Sequence, residues 1–166
     1  MNRIELVRTE IDLILQHQPD IDERRNGFVH LYGVTQNCTL LAIKRGLNVE
    51  LCTIMGMLHD IYTYKCCYVK EHAMLGANVA ENLLKELNLF TDDEIEIVRN
   101  SIFNHSDKKT KHDKYSELLK DADVLQNSLY NIPMEVSHRK RFKKTLKELG
   151  IKIKRKKKTL KTIECT

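Results

Sequence analysis

No run of about 18 consecutive apolar residues occurs in the chain, so no segment has the length a membrane-crossing helix needs. A basic-then-apolar leader ending at a small-residue cleavage site is also missing. The protein is therefore expected in the cytoplasm, in solution and without a membrane partner. Cysteine is sparse and badly spaced for structural use: Cys38, Cys52, Cys66, Cys67 and Cys165 are odd in number and form no Cys-x-x-Cys. That excludes a disulfide framework and a cysteine zinc knuckle, and leaves reduced thiols. Strand patterning is confined to Ile151-Lys152-Ile153, and no internal repeat occurs. Neither a Gly-x-Ser-x-Gly elbow nor a glycine-rich phosphate loop is present, which removes the usual serine-nucleophile and nucleotide-cradle chemistries. The expected architecture is all-α, a bundle of six or seven helices over residues 1–150 with a basic tail at 151–166.

Charge is divided along the chain. Residues 1–138 carry 15 Lys/Arg against 21 Asp/Glu, whereas residues 139–166 carry 13 against 2. The net +5 thus belongs to one end. A basic appendage of this kind reads as a solvated or dimer-packing segment, or as one making weak, salt-sensitive contact with nucleic acid. Phe142 is its one aromatic residue before Thr166, so base-specific reading is not expected.

What is present is a nearly unbroken apolar run, Leu51-Cys52-Thr53-Ile54-Met55-Gly56-Met57-Leu58, ending in His59-Asp60. A run apolar on every side reads as a buried helix. Its terminal carboxylate is then buried too, and no lysine or arginine lies closer in sequence than Lys65. A buried carboxylate costs several kcal/mol unless paired or bound to a metal, which points to a cation.

Helical periodicity places helices at about 2–18, 27–45, 49–61, 71–88, 91–105, 115–130 and 135–149, with a loop over 62–70. Thr91-Asp92-Asp93-Glu94 is a capping box and Gly150 a stop signal. His30 shares an apolar face with Val34, Cys38 and Leu41, and His105 one with Ile95, Val98 and Ile102. Both point inward. Imidazoles and carboxylates without thiolates suit Fe, Mn, Ni, Co or Zn in an open site rather than a closed structural one.

The order His30, then His59-Asp60, then Ala122-Asp123-Val124-Leu125 resembles the HD-domain metal-dependent phosphohydrolase superfamily over about residues 27–130. That resemblance implies an all-α fold in which His30, His59, Asp60 and Asp123 hold a divalent metal. His72, in Glu-His-Ala-Met, and His105, in Phe-Asn-His-Ser, look like the extra histidines of two-metal subgroups, such as the bacterial dinucleoside-tetraphosphate hydrolases. In that case Asp60 bridges two ions, His30, His59 and Asp123 complete one site, and His72 with His105 hold the second. The implied activity is hydrolysis of a phosphoester or phosphoanhydride, of a small nucleotide above all, by metal-activated water. Lys65 is the first candidate phosphate anchor, with Lys70, Lys108, Lys109 and Lys111 behind it.

Two departures matter. Nucleotidase relatives carry an acid three or four positions past His-Asp, where this chain has Thr63 and Tyr64, and Gly33 stands where an arginine is frequent. The missing acid favours the alternative of a metal- and nucleotide-binding sensor or interaction module without efficient turnover, and Gly33 removes one possible phosphate anchor. Asp121 and Asp123 lie about 200° apart around a helix, so both cannot face one site. The apolar stripe of Leu118, Ala122, Leu125 and Leu129 favours Asp121, while the resemblance favours Asp123. We side with the resemblance, and expect Asp121 to be an outer or surface group.

Overall fold

The computed structural model describes residues 2–68, 70–130 and 138–152. Among them are eight α-helices: α1 (Arg3–Gln16), α2 (Ile21–Arg45), α3 (Val49–Leu58), α4 (Ile61–Cys66), α5 (His72–Leu87), α6 (Asp92–Asn104), α7 (Lys114–Tyr130) and α8 (Arg139–Glu148). The described residues of the chain form an all-α bundle. No helix among them is long and apolar enough to cross a membrane. Most of the 151–166 tail, from residue 153 onward, lies outside the described residues, as do residues 135–137, where the last helix was expected to begin.

Caps explain most boundaries. The Asn2 side chain accepts from the amides of Ile4 and Glu5, Asp20 does the same for Asp22 and Glu23, and Thr91 and Glu94 close the expected capping box. Asp20 starts α2 six residues before the expected Gly27, because its carboxylate takes the orphan first-turn amides at 2.9 and 3.0 Å. Gly46 ends α2 at φ 62°, a conformation open to glycine at little cost. The stretch expected as a loop after His59-Asp60 instead forms the six-residue α4. Ile61 and Tyr64 bury its inner side, and too few residues are involved for periodicity to register.

α2 packs along both α3 and α7, α5 pairs with α6, and α6 rests on α7 and α3. Every residue of α3 from Leu51 to Leu58 is buried, as its unbroken apolar run requires. α3 approaches α2 at Gly56, where an added Cβ would meet Thr35 Cα at 2.6 Å and Thr35 N at 3.0 Å. Backbone cannot swing aside as a side-chain tip can. Gly56→Ala gains about 1 kcal/mol of helix propensity but forces two helices apart, an overpacking cost of about 1–3 kcal/mol. Net destabilisation is expected in urea unfolding; an unchanged or higher midpoint would show that the α2–α3 contact is loose.

α8 lays Phe142 and Leu146 on Val124 and Leu125 of α7. An ion network around the buried Asp121 fixes its angle. Asp121, 1% exposed, pairs with Arg45 of α2 at 2.6 Å and with Arg141 of α8 at 2.7 Å. Arg45 also holds Glu148 at 2.8 Å, and Arg141 holds Glu117 at 3.0 Å.

Candidate metal centre

The ends of helices build the centre. His59 is the C-cap of α3 and His105 the C-cap of α6. The last carbonyls of a helix lack the usual amide from the next turn, and in both places the imidazole donates to one of them, at Ile102 beside the His105 amide. His59 Nδ1 lies 2.9 Å from the Gly56 oxygen, and His105 Nδ1 2.7 Å from the Ile102 oxygen. A carbonyl only accepts, so Nδ1 donates and Nε2 keeps its lone pair. His30, on α2, is oriented in the same way by a side chain of α7: its Nδ1 donates to Gln126 Oε1 at 2.8 Å. His72 is the first residue of α5. In the neutral form the three rings are thus locked with the Nε2 lone pair aimed at a common point.

That point is Asp60, at the N-cap of α4. Its Oδ2 lies 3.2 Å from His30 Nε2 and 3.3 Å from His59 Nε2. Its Oδ1 lies 3.2 Å from His105 Nε2 and 3.5 Å from His72 Nε2. The Nε2 atoms face each other in pairs, His30 with His59 at 3.0 Å and His72 with His105 at 3.2 Å. Each carboxylate oxygen therefore serves one histidine pair. Two three-residue groups result, His30-His59-Asp60 and Asp60-His72-His105, with ligand atoms in each lying within 4.8 Å of one another.

The arrangement fits a cation. Lone pairs turned on each other repel, Asp60 Oδ1 is buried without a hydrogen-bond partner, and no lysine or arginine among the described residues pairs with Asp60. A divalent ion in each group would satisfy these groups together, and imidazole with carboxylate is the donor set for such metals. Burial by itself would push the Asp60 carboxyl up, but the surrounding imidazoles reverse this and hold it well below its ordinary 3.8. Asp60 remains an anion. For His30, burial works against the charged ring, yet Asp60 and Asp123 raise its pKa above the ordinary 6.5.

Of the two aspartates on α7, Asp123 faces the centre. Its Oδ1 lies 3.7 Å from His30 Nε2 and accepts from Asn127 Nδ2 at 2.7 Å, while Oδ2 pairs with Lys108. Asp121 faces away, into the Arg45–Arg141 network. It is neither an outer group of the centre nor a surface residue, and that expectation is corrected. Both faces of α7 are buried, so the apolar stripe could not rank them.

A cleft of about 670 Å³ opens over the histidines, with Asn26, Tyr64, Ser106, Lys108, Asn127 and Tyr130 in its walls. Lys65 is not among them. It is exposed on α4 and borders separate hollows beside Glu10 and Ile14, because one residue of helix turns it about 100° from Tyr64, which faces the cleft. Among the described residues, the lysine in the cleft wall is Lys108. Its Nζ reaches Asp123 and the His105 carbonyl, the latter at 2.5 Å. The loop that carries it is tied down by Lys120, a fully buried lysine donating to Thr110 O at 3.0 Å, His112 Nδ1 at 2.6 Å and Glu117 at 3.1 Å. Gln126 and Asn127 were the polar groups hardest to assign from sequence. Their one signal is spacing, three and four residues beyond Asp123 on the same helix face.

The chain matches the HD domain family over residues 27–128. Among solved structures, it resembles the crystal structure of a predicted HD superfamily hydrolase from an uncultured Thermotogales bacterium, with 22% identity and a TM-score of 0.63 over 90% of this chain and 92% of that one. The two share a fold. No curated protein matches the chain.

Proposed function

This chain belongs to the HD domain family, and from that premise we propose that it is a metal-dependent phosphohydrolase acting on a small phosphoester or phosphoanhydride, a nucleotide above all. One observation carries the reading: four histidine Nε2 atoms converge on the two oxygens of one buried carboxylate, one of which has no hydrogen-bond partner. His30, His59, Asp60 and Asp123 would hold one ion, and Asp60, His72 and His105 the second. Bound there, the metal supplies activated water and charge stabilisation for an in-line displacement at phosphorus.

The chain's own groups divide the remaining work. Backbone carbonyls of Gly56 and Ile102 and the Gln126 amide hold the imidazoles in the ligating tautomer. Lys108 is placed to meet a phosphoryl oxygen, with Asp123 keeping its ammonium aimed into the cleft. Tyr64, 8% exposed, closes one wall against water. With no side-chain nucleophile in this scheme, water attacks directly.

The test is turnover in ¹⁸O-water by chelator-free protein supplied in turn with Mn²⁺, Fe²⁺, Ni²⁺ and Co²⁺. One to two ions per chain are expected, as two groups sharing one carboxylate imply, with ¹⁸O in the phosphate-containing product of a single turnover. The second reading, a metal- and nucleotide-binding module without turnover, is favoured by the absence of an acid at Thr63 and Tyr64 and by the Lys108 hold on Asp123. Metal at full occupancy with no hydrolysis of any nucleotide or simple phosphoester would decide for it. Folded protein that takes up no metal would overturn both.

A further inference from the structure

Beside the histidine cleft lies a second hollow, of about 550 Å³, whose walls are Lys108, Glu117, His138, Arg139, Lys140, Arg141 and Lys144. The two hollows abut, for Lys108 and His138 line both. Five cations face one carboxylate in the second, and α8 as a whole carries six basic residues against Glu148. Two of the five cations are committed: Lys108 pairs with Asp123, and Arg141 with Glu117 and Asp121. Arg139, Lys140 and Lys144 are exposed and have no ion pair among the described residues. The hollow also sits at the positive end of α8, where the N-cap His138 places no side chain on the first-turn amides.

We propose that this hollow is a second anionic subsite, in which Arg139, Lys140 and Lys144 hold the distal phosphates of a polyphosphorylated small molecule whose reacting phosphoryl group lies in the histidine cleft. The proposal rests on the phosphohydrolase reading and narrows its substrate to a compound with a phosphate chain. One exposed lysine facing a phosphate contributes little. Three cations without an ion pair at the rim of one concavity focus their field on it, and because the two hollows share Lys108 and His138, a linear chain of phosphates is a ligand suited to run from one into the other. A nucleic-acid strand fits less well. Phe142 is the one aromatic residue of α8, and it is 2% exposed, so the walls of the second hollow offer no ring for a base to stack on, and the exposed Tyr130 stands in the histidine cleft instead.

The test uses the full chain loaded with metal, and inorganic tripolyphosphate as the probe, titrated calorimetrically at low salt beside orthophosphate. Tripolyphosphate is expected to bind at least about tenfold more tightly than orthophosphate. The double variant Lys140→Glu, Lys144→Glu should remove that advantage by about tenfold or more, leaving orthophosphate binding and metal content as in the parent. Both side chains are exposed, so folding is not at stake; circular dichroism checks this. In the kinetic arm, KM for a nucleoside triphosphate should rise by about tenfold in the variant while kcat/KM for p-nitrophenyl phosphate holds. Equal tripolyphosphate affinity in the two proteins would overturn the subsite, as would no preference over orthophosphate. Tighter binding of a single-stranded RNA oligomer than of tripolyphosphate, lost in the same variant, would overturn it in favour of nucleic acid. If no phosphoester is turned over with any metal, the phosphohydrolase reading fails while the tripolyphosphate titration still decides the subsite.

Discussion

Replacing Asp60 with asparagine is expected to empty both ligand groups at once. Each oxygen of this carboxylate serves a separate histidine pair, so a single neutralisation removes the anion from both. His72→Ala removes a ligand from one group alone. Metal content should therefore fall in steps: up to two ions in the parent, one in His72→Ala, none in Asp60→Asn. Activity in Asp60→Asn should drop by well over about 100-fold, the upper end for losing even an outer-shell partner. The fold should survive, because Asp60 has no hydrogen-bonded ammonium or guanidinium among the described residues to strand, and thermal melting of the metal-free proteins checks that. Equal metal content in Asp60→Asn and His72→Ala would mean that the two groups do not share this carboxylate, and the bridged arrangement would have to be abandoned.

The second large effect separates the neighbouring aspartates of α7. Asp123→Ala should lose metal affinity and activity by about 100-fold or more, with the Lys108 ammonium left without its carboxylate. Asp121→Ala should act on stability instead. It takes a 1% exposed anion from between two arginines, and breaking a buried pair by removing one partner costs about 3–5 kcal/mol. Arg45 keeps Glu148 and Arg141 keeps Glu117, so the lower end of that range is expected. Per folded molecule, activity should change by less than tenfold. Denaturant unfolding and metal titration on the same two preparations read both properties. A stable Asp121→Ala protein that had lost its metal would reverse the assignment.

Why the histidines were legible and the cations were not follows from where each gets its partner. His30 and His105 continue apolar faces of their helices, and His59-Asp60 ends an apolar run, so inward placement was written in local spacing. The all-α architecture was legible for the same reason, since its helices are long and periodic. α4 escaped because it has only six residues. The environment of Asp121 is set by Arg45 and Arg141, one of them 76 residues away, and no helical stripe encodes that. Lys65 looked like the anchor because it is near Asp60 in sequence, whereas Lys108 reaches the cleft because the buried Lys120 pins its loop. Nearness along a chain tracks nearness in space only within one or two helical turns, and these contacts span elements.

Gly33, set down at first as a missing phosphate anchor, has a different significance once its surroundings are known. An added Cβ there would meet Gln126 Cγ at 2.7 Å, and it is Gln126 that fixes the His30 ring. A side chain at 33 and an extended glutamine at 126 thus exclude each other. An arginine at 33 requires Gln126 to move aside or be shortened, and either change takes from His30 Nδ1 the acceptor that holds its ring. The bare backbone at 33 is therefore part of what orients a metal-facing imidazole one helix turn back, at one remove through Gln126.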